Sequence, residues 1–482
     1  MMSRILNTLY KNRASPAGRA ESAGPGPLPP QQAPATLLTG KRVLIMDTDL
    51  YHQVGGGQTA YRKLIEASPE NTYFYFRHEE MVDAPRPINA RAILLRDHYQ
   101  PNSAGLPRET ELFYHDYLMA WQMAASVRSE FGACDFDVVD TPDYRTLGLF
   151  IRCAFAAHGI GVGTVALALH GTLSSALRDQ WPRTTAPRSW LAGARIREHL
   201  QFRNADVRYA LSATYAREWT NYTRLPVRQI DPLRFVGNIS PICFDETPTL
   251  PDLFFIGRRE RRKGPDLFLD LAWALDPGTY RSLVFIGGDS ISAAGVGSQH
   301  ILQEMAALRG MRVEFRAPLP SAGLDELFAA RSIVILPSRY DQFNLICLEA
   351  LRKGCPVFVS KRAGVSCWIQ THYPQLAHLI LDVDCSRSGS RAIRAALADY
   401  NGFRHHLINT LMSVPMSGCH DEFSEMYEPL GPVDRSARRT VAEIGYRLDA
   451  LSPPLDSEDI RVNQSVKRLA KAWHKWRAWW EN

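Results

Sequence analysis

Two successive runs of short, almost wholly apolar segments constrain this chain more than any other feature. The first comprises Arg42–Met46, Tyr73–Phe76, Phe136–Val139, Thr164–Leu169 and Val207–Leu211. Near Val236-Gly237-Asn238 the pattern restarts with Leu253–Ile256, Leu283–Ile286, Val313–Phe315, Ile333–Leu336 and Pro356–Val359. Runs without polar alternation suit strands buried on both faces, as in a parallel sheet covered by helices. Helical stretches lie between them. Gln58–Ala67 has no internal Gly or Pro, and Leu345–Lys353 ends at Gly354, a C-terminal stop. The alternation predicts an α/β fold of two doubly wound domains, over residues 41–240 and 241–415. A length of 482 residues accommodates both. Beyond about 400 the pattern weakens to helices over His405–Met412 and Val441–Leu451.

Ligands in such sheets bind beyond the carboxyl ends of the strands. The loop Gly55-Gly56-Gly57, His170, Arg258, Gly287-Gly288 and Asp341 all fall at such ends. Asp341 follows the strand Ile333–Leu336, and Glu349 lies seven residues further inside the next helix. Free amides at that helix start, near Asn344 and Leu345, form an anion site. Carboxylates beside it suit sugar hydroxyls, so the combination predicts a sugar-phosphate site. Apolar neighbours around Glu349 predict a buried, partnered acid. Arg258 follows a strand directly. Lys263 precedes Gly264-Pro265, and Pro265 suits a first helical position, so Lys263 is expected near a helix start. Arg259, Arg261 and Arg262 are expected to be solvated.

These residues carry a resemblance. Residues 251–370 resemble the donor-binding half of the retaining family 4 glycosyltransferases (glycosyl transferases group 1), which have the GT-B fold. The family's paired acids with Phe-Gly after the first appear as Asp341, Phe343-Asn344 and Glu349. The departures are Asp for the first Glu and Asn for Gly. The family's Gly-Arg, four residues, Lys-Gly pattern appears as Gly257-Arg258 and Lys263-Gly264, and its Gly-rich strand end as Val284 to Asp289. The resemblance implies two Rossmann-like domains facing across a cleft, with C-terminal helices (416–482) crossing back. It implies a nucleotide-sugar donor and a glycan, lipid or protein acceptor, without a metal cofactor. Arg258 and Lys263 would hold the departing diphosphate, Asp341 the transferred sugar and Glu349 the donor ribose. Gly287 and Gly288, with the backbone at Asn344 and Leu345, would lie along the donor. Gly56 and Gly57 resemble the first-domain glycine loop, and His170 the histidine placed beside the reacting sugar. A non-catalytic GT-B protein that binds a sugar nucleotide or a partner is the alternative.

Composition limits other readings. Fifty-six basic residues against 50 acidic leave a net charge of only +6, which argues against a nucleic-acid partner. Eight scattered cysteines without a C-x-x-C pair suit a reducing, cytoplasmic compartment and no structural zinc. There is no apolar run long enough to span a membrane, and no secretory leader is expected. Residues 1–40, rich in Pro, Ala and Gly, are expected to be disordered. Asp47-Thr48-Asp49 is read as a coincidental D-x-D, not a metal chelate. In 464–480, Trp473, Trp476 and Trp480 share one helical face and Lys467, Arg468, Lys471 and Lys475 another. Such a helix either docks on the first domain or lies on the inner face of a membrane.

Overall fold

The computed structural model describes residues 40–450, apart from 53–54, 80, 83, 96–107, 145, 173–187, 234–248, 291–295, 414–424 and 432–433. The expectations for residues 1–39, for the restart at 236–238 and for the helix at 464–480 lie outside the described residues.

Seven strands form the first sheet: β1 (Arg42–Thr48), β2 (Thr72–His78), β3 (Ala90–Leu95), β4 (Cys134–Pro142), β5 (Ile160–Ala168), β6 (Val207–Ala210) and β7 (Arg228–Gln229). Their order is β3-β2-β1-β4-β5-β6-β7. Six form the second: β8 (Asp252–Ile256), β9 (Leu283–Ile286), β10 (Glu314–Arg316), β11 (Ser332–Leu336), β12 (Val357–Ser360) and β13 (Ile380–Leu381), in the order β10-β9-β8-β11-β12-β13. Every pairing in both sheets is parallel. Each order reverses direction once, between β1 and β4 and between β8 and β11. Crevices for ligands open at such switch points.

The helices follow from the crossovers that parallel strands require. Those described are α1 (Gly56–Ala67), α2 (Arg108–Phe131), α3 (Ile151–Ala157), α4 (Arg188–Asn204), α5 (Ala213–Thr223), α6 (Pro265–Trp273), α7 (Ser298–Ala307), α8 (Ser321–Ala329), α9 (Leu345–Arg352), α10 (Gly364–His372), α11 (Ser386–Ala398), α12 (Tyr400–Ser413) and α13 (Arg435–Ala450). Strand β1 illustrates the layering. Val43 and Ile45 pack in a cluster with Tyr61, Leu64 and Ile65 of α1, while Leu44 and Met46 join Tyr117 and Met123 of α2. Successive side chains leave a strand on opposite faces, so one apolar run feeds both layers. Truncating any of these buried side chains to Ala would cost about 2–5 kcal/mol.

The C-terminal helices cross back to the first sheet. Val441 and Ile444 of α13 enter the cluster of Leu44 and Met46. Arg203 Nε donates to Asp434 Oδ2 at 2.6 Å, and Arg438 pairs with Asp206. Just before α13, Tyr427 is buried and its hydroxyl donates to Asp140 Oδ2 at 3.0 Å. Asp140, on β4 and fully buried, also accepts from Tyr61 (3.0 Å) and Tyr209 (2.7 Å).

The two domains meet through loops and helix starts. Ser212 accepts from Tyr215 N at 3.1 Å and so caps α5. Gly364, the first residue of α10, lies against Ser212 so closely that a Cβ there would collide with its side chain and with the Gln342 carbonyl. Tyr340 donates to Glu218 Oε2 at 3.3 Å.

Candidate functional site

The loops after β8 and β11 build the centre of the site. Arg339 forks onto Asp266, with Nη1 to Oδ1 at 2.7 Å and Nη2 to Oδ2 at 2.5 Å. Its backbone N–H donates to the Arg262 carbonyl at 2.8 Å and its Nη1 to the Arg261 carbonyl at 2.8 Å. These bonds stitch the β11 loop to the short helical turn Arg261–Lys263. They bring Lys263 Nζ to 2.5 Å from Asp341 Oδ2. Pro265 begins α6, as its position predicts, and Gly264 before it is left-handed at φ 74°. A Cβ at Gly264 would collide with the Pro337 carbonyl, so only glycine lets the two loops approach.

Charge is concentrated here. Asp341 is buried, which raises its carboxyl, but Lys263 and Arg262 outweigh burial and hold it below the ordinary range. Burial lowers the Lys263 ammonium and Asp341 opposes it. Glu260 follows the same logic: burial raises it, and Arg258, Arg262 and Lys263 together bring it below the usual range. Arg258 pairs with Glu260 at 2.8 Å while its side chain stays 60% exposed, so the guanidinium is accessible. Arg259 and Arg262 are not solvated, contrary to the sequence expectation. Arg259 Nη1 donates to the Gly287 carbonyl at 2.6 Å and its guanidinium lies 5.4 Å from the Phe315 ring centre. Arg262 Nη1 donates to the Tyr340 carbonyl at 3.2 Å. Both fix loops. Arg259 N also donates to the Gly288 carbonyl at 3.0 Å, which ties the Arg258 loop to the β9 end, while the Cα of Gly288 faces open space.

Asn344 is left-handed, with φ 79° and ψ 78°, directly before α9. Asn tolerates this region better than most residues, which explains how it stands where Gly is usual. Leu345 opens α9 with its amide free of an intrahelical acceptor. Glu349 is half-buried, and no hydrogen bond is found for it among the described residues, so the expected partnered acid is not formed. Burial raises its carboxyl, while Lys63 and Arg62 of α1 pull it back from across the cleft.

The first sheet supplies the opposite wall. Gly56 opens α1 with nothing near its Cα, and Gly57 lies against the Tyr144 ring. Asp47 and Asp49 are buried and bonded internally: Asp47 to Thr48 N, Gln58 and Tyr144, Asp49 to His78. They do not present paired oxygens to the cleft. His170 sits edge-on to Tyr61, ring centres 5.3 Å apart. Its Nε2 is buried without a partner, and burial pushes the imidazole down to about 4, so it is neutral at neutral pH. The loop is held by Asp143, whose Oδ1 accepts from His170 N at 2.9 Å and Gly171 N at 2.8 Å. Burial pushes Asp143 up to about 7 against these bonds. Sequence reading missed Asp143, although its place directly after β4 is the kind of strand end that singled out His170. It also missed Arg339–Asp266, which no local pattern signals. Among the described residues no three His, Cys, Asp or Glu side chains gather as a metal-holding group.

A sucrose-phosphate synthase from Thermosynechococcus elongatus superposes with a TM-score of 0.59 at 17% identity, over 86% of this chain and all of that one. The N-terminal domain of Candida albicans trehalose-6-phosphate phosphatase gives 0.51 at 14% identity, over 86% of this chain and 98% of that one. An Anabaena protein, HepE, solved in complex with UDP, gives 0.50 at 12%, over 83% of this chain and 98% of that one. The fold is GT-B. Within it, residues 245–410 match the family described as glycosyl transferases group 1, and the chain carries that domain. D-inositol 3-phosphate glycosyltransferase of Nocardia farcinica is 33% identical over 124 residues, 25% of this chain and 27% of that protein. The protein of that name from Salinispora arenicola is 29% identical over 192 residues, 37% of this chain and 42% of that protein. The chain therefore matches less than half the length of these curated relatives.

Proposed function

We propose that this chain is a retaining glycosyltransferase that moves a sugar from a nucleotide donor to a glycan, lipid or protein hydroxyl. The observation that carries this reading is the Lys263–Asp341 pair at 2.5 Å, set beside accessible Arg258 and the open start of α9. Breaking the glycosidic bond leaves negative charge on a diphosphate. Fixed cations in a cleft stabilise that charge without reorganising. Arg258 and Lys263 serve this purpose with no resident metal, and Gly288 leaves room for the donor backbone.

Retention follows from a front-face exchange. The acceptor oxygen bonds the anomeric carbon on the side from which the diphosphate oxygen leaves. The bonding pair departs with the diphosphate, and the acceptor's proton passes to it. No protein nucleophile is needed. Neutral His170 borders the reacting sugar, and Asp143 positions it. The UDP complex of the Anabaena neighbour supports a nucleotide-sugar donor, and the names of the curated relatives support glycosyl transfer. The first sheet's side of the cleft sets the acceptor. The cysteines described are all free thiols, which suits a cytoplasmic site of action. No described helix is long and apolar enough to cross a membrane.

The decisive experiment is a thermal-shift screen of UDP-, GDP- and ADP-sugars, followed by donor hydrolysis and transfer assays with and without EDTA. One donor class should raise Tm and be turned over, with EDTA leaving the rate unaltered. Failure of every donor to bind rejects the reading.

A further inference from the structure

The two residues that flank Asp341 on the second domain both reach the first. Tyr340 lies directly before Asp341, yet its half-buried ring packs against a first-domain cluster that holds Leu169 and Tyr215. Its hydroxyl donates to Glu218 Oε2 at 3.3 Å. Gln342, directly after Asp341, rests on Gly171, where a Cβ would lie 2.5 Å from its Cδ. Leu169 and Gly171 are the chain neighbours of His170. The flanks of Asp341 are therefore seated at the flanks of His170.

Tyr340 has a second line to His170. Tyr215, buried in the same cluster, donates its hydroxyl to Asp143 Oδ2 at 3.2 Å. The other oxygen of Asp143 holds the His170 and Gly171 amides. A ring pressing on this cluster bears on the loop that carries His170, because close-packed side chains pass on a displacement rather than absorb it. On its own side Tyr340 is tied by its backbone. Arg262 Nη1 donates to the Tyr340 carbonyl at 3.2 Å and stands 3.9 Å from Asp341 Oδ1. That tie survives any change of the Tyr340 side chain.

We infer that Tyr340 is a positioning residue: its side chain registers the His170 loop of the first domain against the Lys263–Asp341 pair of the second. This rests on the glycosyltransferase reading above. Tyr340 touches no substrate in this assignment and acts on the rate through His170.

The test measures donor hydrolysis and calorimetric donor binding for the full chain, Tyr340→Ala, His170→Ala and the double variant. The probe is whichever of UDP-glucose, GDP-mannose and ADP-glucose the unaltered chain turns over. Rates are referred to the titrated number of donor sites, so a loss of folded protein alone does not lower them. Tyr340→Ala should lower kcat about tenfold, the cost of a misplaced group at the reacting centre. Donor Kd should stay within about twofold, because the cations that hold the donor keep their own ties. In the His170→Ala background the same change should cost less than about threefold, the non-additivity of a residue that acts through another. Tyr340→Phe keeps the ring and loses one exposed hydrogen bond, so it should recover most of the rate. Tyr340→Leu serves if the Ala variant does not fold. Additive losses in the double variant, a Kd that rises in step with the fall in kcat, or an unchanged kcat overturns the assignment and leaves the glycosyltransferase reading standing. An unaltered chain that turns over none of the three donors overturns that reading, and the assignment with it.

Discussion

Lys263 Nζ sits 2.5 Å from Asp341 Oδ2 although the residues are 78 apart in sequence. The same ion pair ties the β8 loop to the β11 loop and fixes a cation at the mouth of the proposed donor site. Removing either partner therefore has two separable consequences, one on rate and one on stability.

Lys263→Ala should lower transfer roughly 100- to 1000-fold, the cost of losing one charge-stabilising partner. It should also destabilise the fold, because Asp341 is left buried. The loss belongs at the lower end of about 3–5 kcal/mol, since Arg262 remains nearby. Urea unfolding together with steady-state rates checks both. A near-normal rate would contradict the proposed role.

Asp140 makes stability depend on pH. Burial pushes its carboxyl up to about 7, and the hydroxyls of Tyr209, Tyr427 and Tyr61 offset this only in part. Below about 4 both folded and unfolded chains hold the proton, so Asp140 adds no slope there. Between about 4 and 7 only the folded chain holds it, so its contribution to stability falls as pH rises. Asp143 adds a slope of the same sign, and His170, pushed down to about 4, one of the opposite sign. Comparison with Asp140→Asn isolates the Asp140 share. The Tm of that variant, relative to the unaltered chain, should climb from pH 5 to about pH 7 and level off above it. A constant difference would show that Asp140 titrates normally.

His170 is neutral at neutral pH, so its protonation should not shape activity there. His170→Gln, which keeps a neutral polar side chain, should give a pH–rate profile parallel to that of the unaltered chain between pH 5.5 and 8. His170→Ala should lose about 10- to 100-fold at every pH, below the range for a general acid or base because no proton is moved. A limb near pH 6.5 that disappears in His170→Gln would refute this assignment.

Gly264→Ala probes the approach of the two donor-side loops. Its φ of 74° and the Pro337 carbonyl both oppose a side chain. Strain of about 1–3 kcal/mol is expected from the backbone alone. Because the substitution pushes the Lys263 turn away from β11, donor affinity should fall along with Tm. Retained affinity at a reduced Tm would separate the fold from the site.

Much of the architecture was legible in the chain. The apolar runs 42–46 and 253–256 became β1 and β8 with only small extensions, because strands buried on both faces need continuous apolar residues. Strand β3, with Arg91 among its residues, and the two-residue β7 and β13 escaped notice: edge strands are short and less apolar. The basic run 258–263 misled in part. Composition cannot distinguish Arg258, open to solvent, from Arg259 and Arg262, which are buried against carbonyls and an acid.

The alternation of strands and helices in two successive domains and the positions of Gly57, His170, Lys263 and Asn344 near strand or helix ends follow from local periodicity, which each segment carries within itself. Which of them touch does not. The seating of Gln342 on Gly171, the grip of Asp143 on the His170 loop and the return of Tyr427 to Asp140, 287 residues away, exist only once the sheets and helices pack. Burial then sets the charges as well, since a carboxylate or imidazole acquires its protonation state from neighbours brought in from distant parts of the chain.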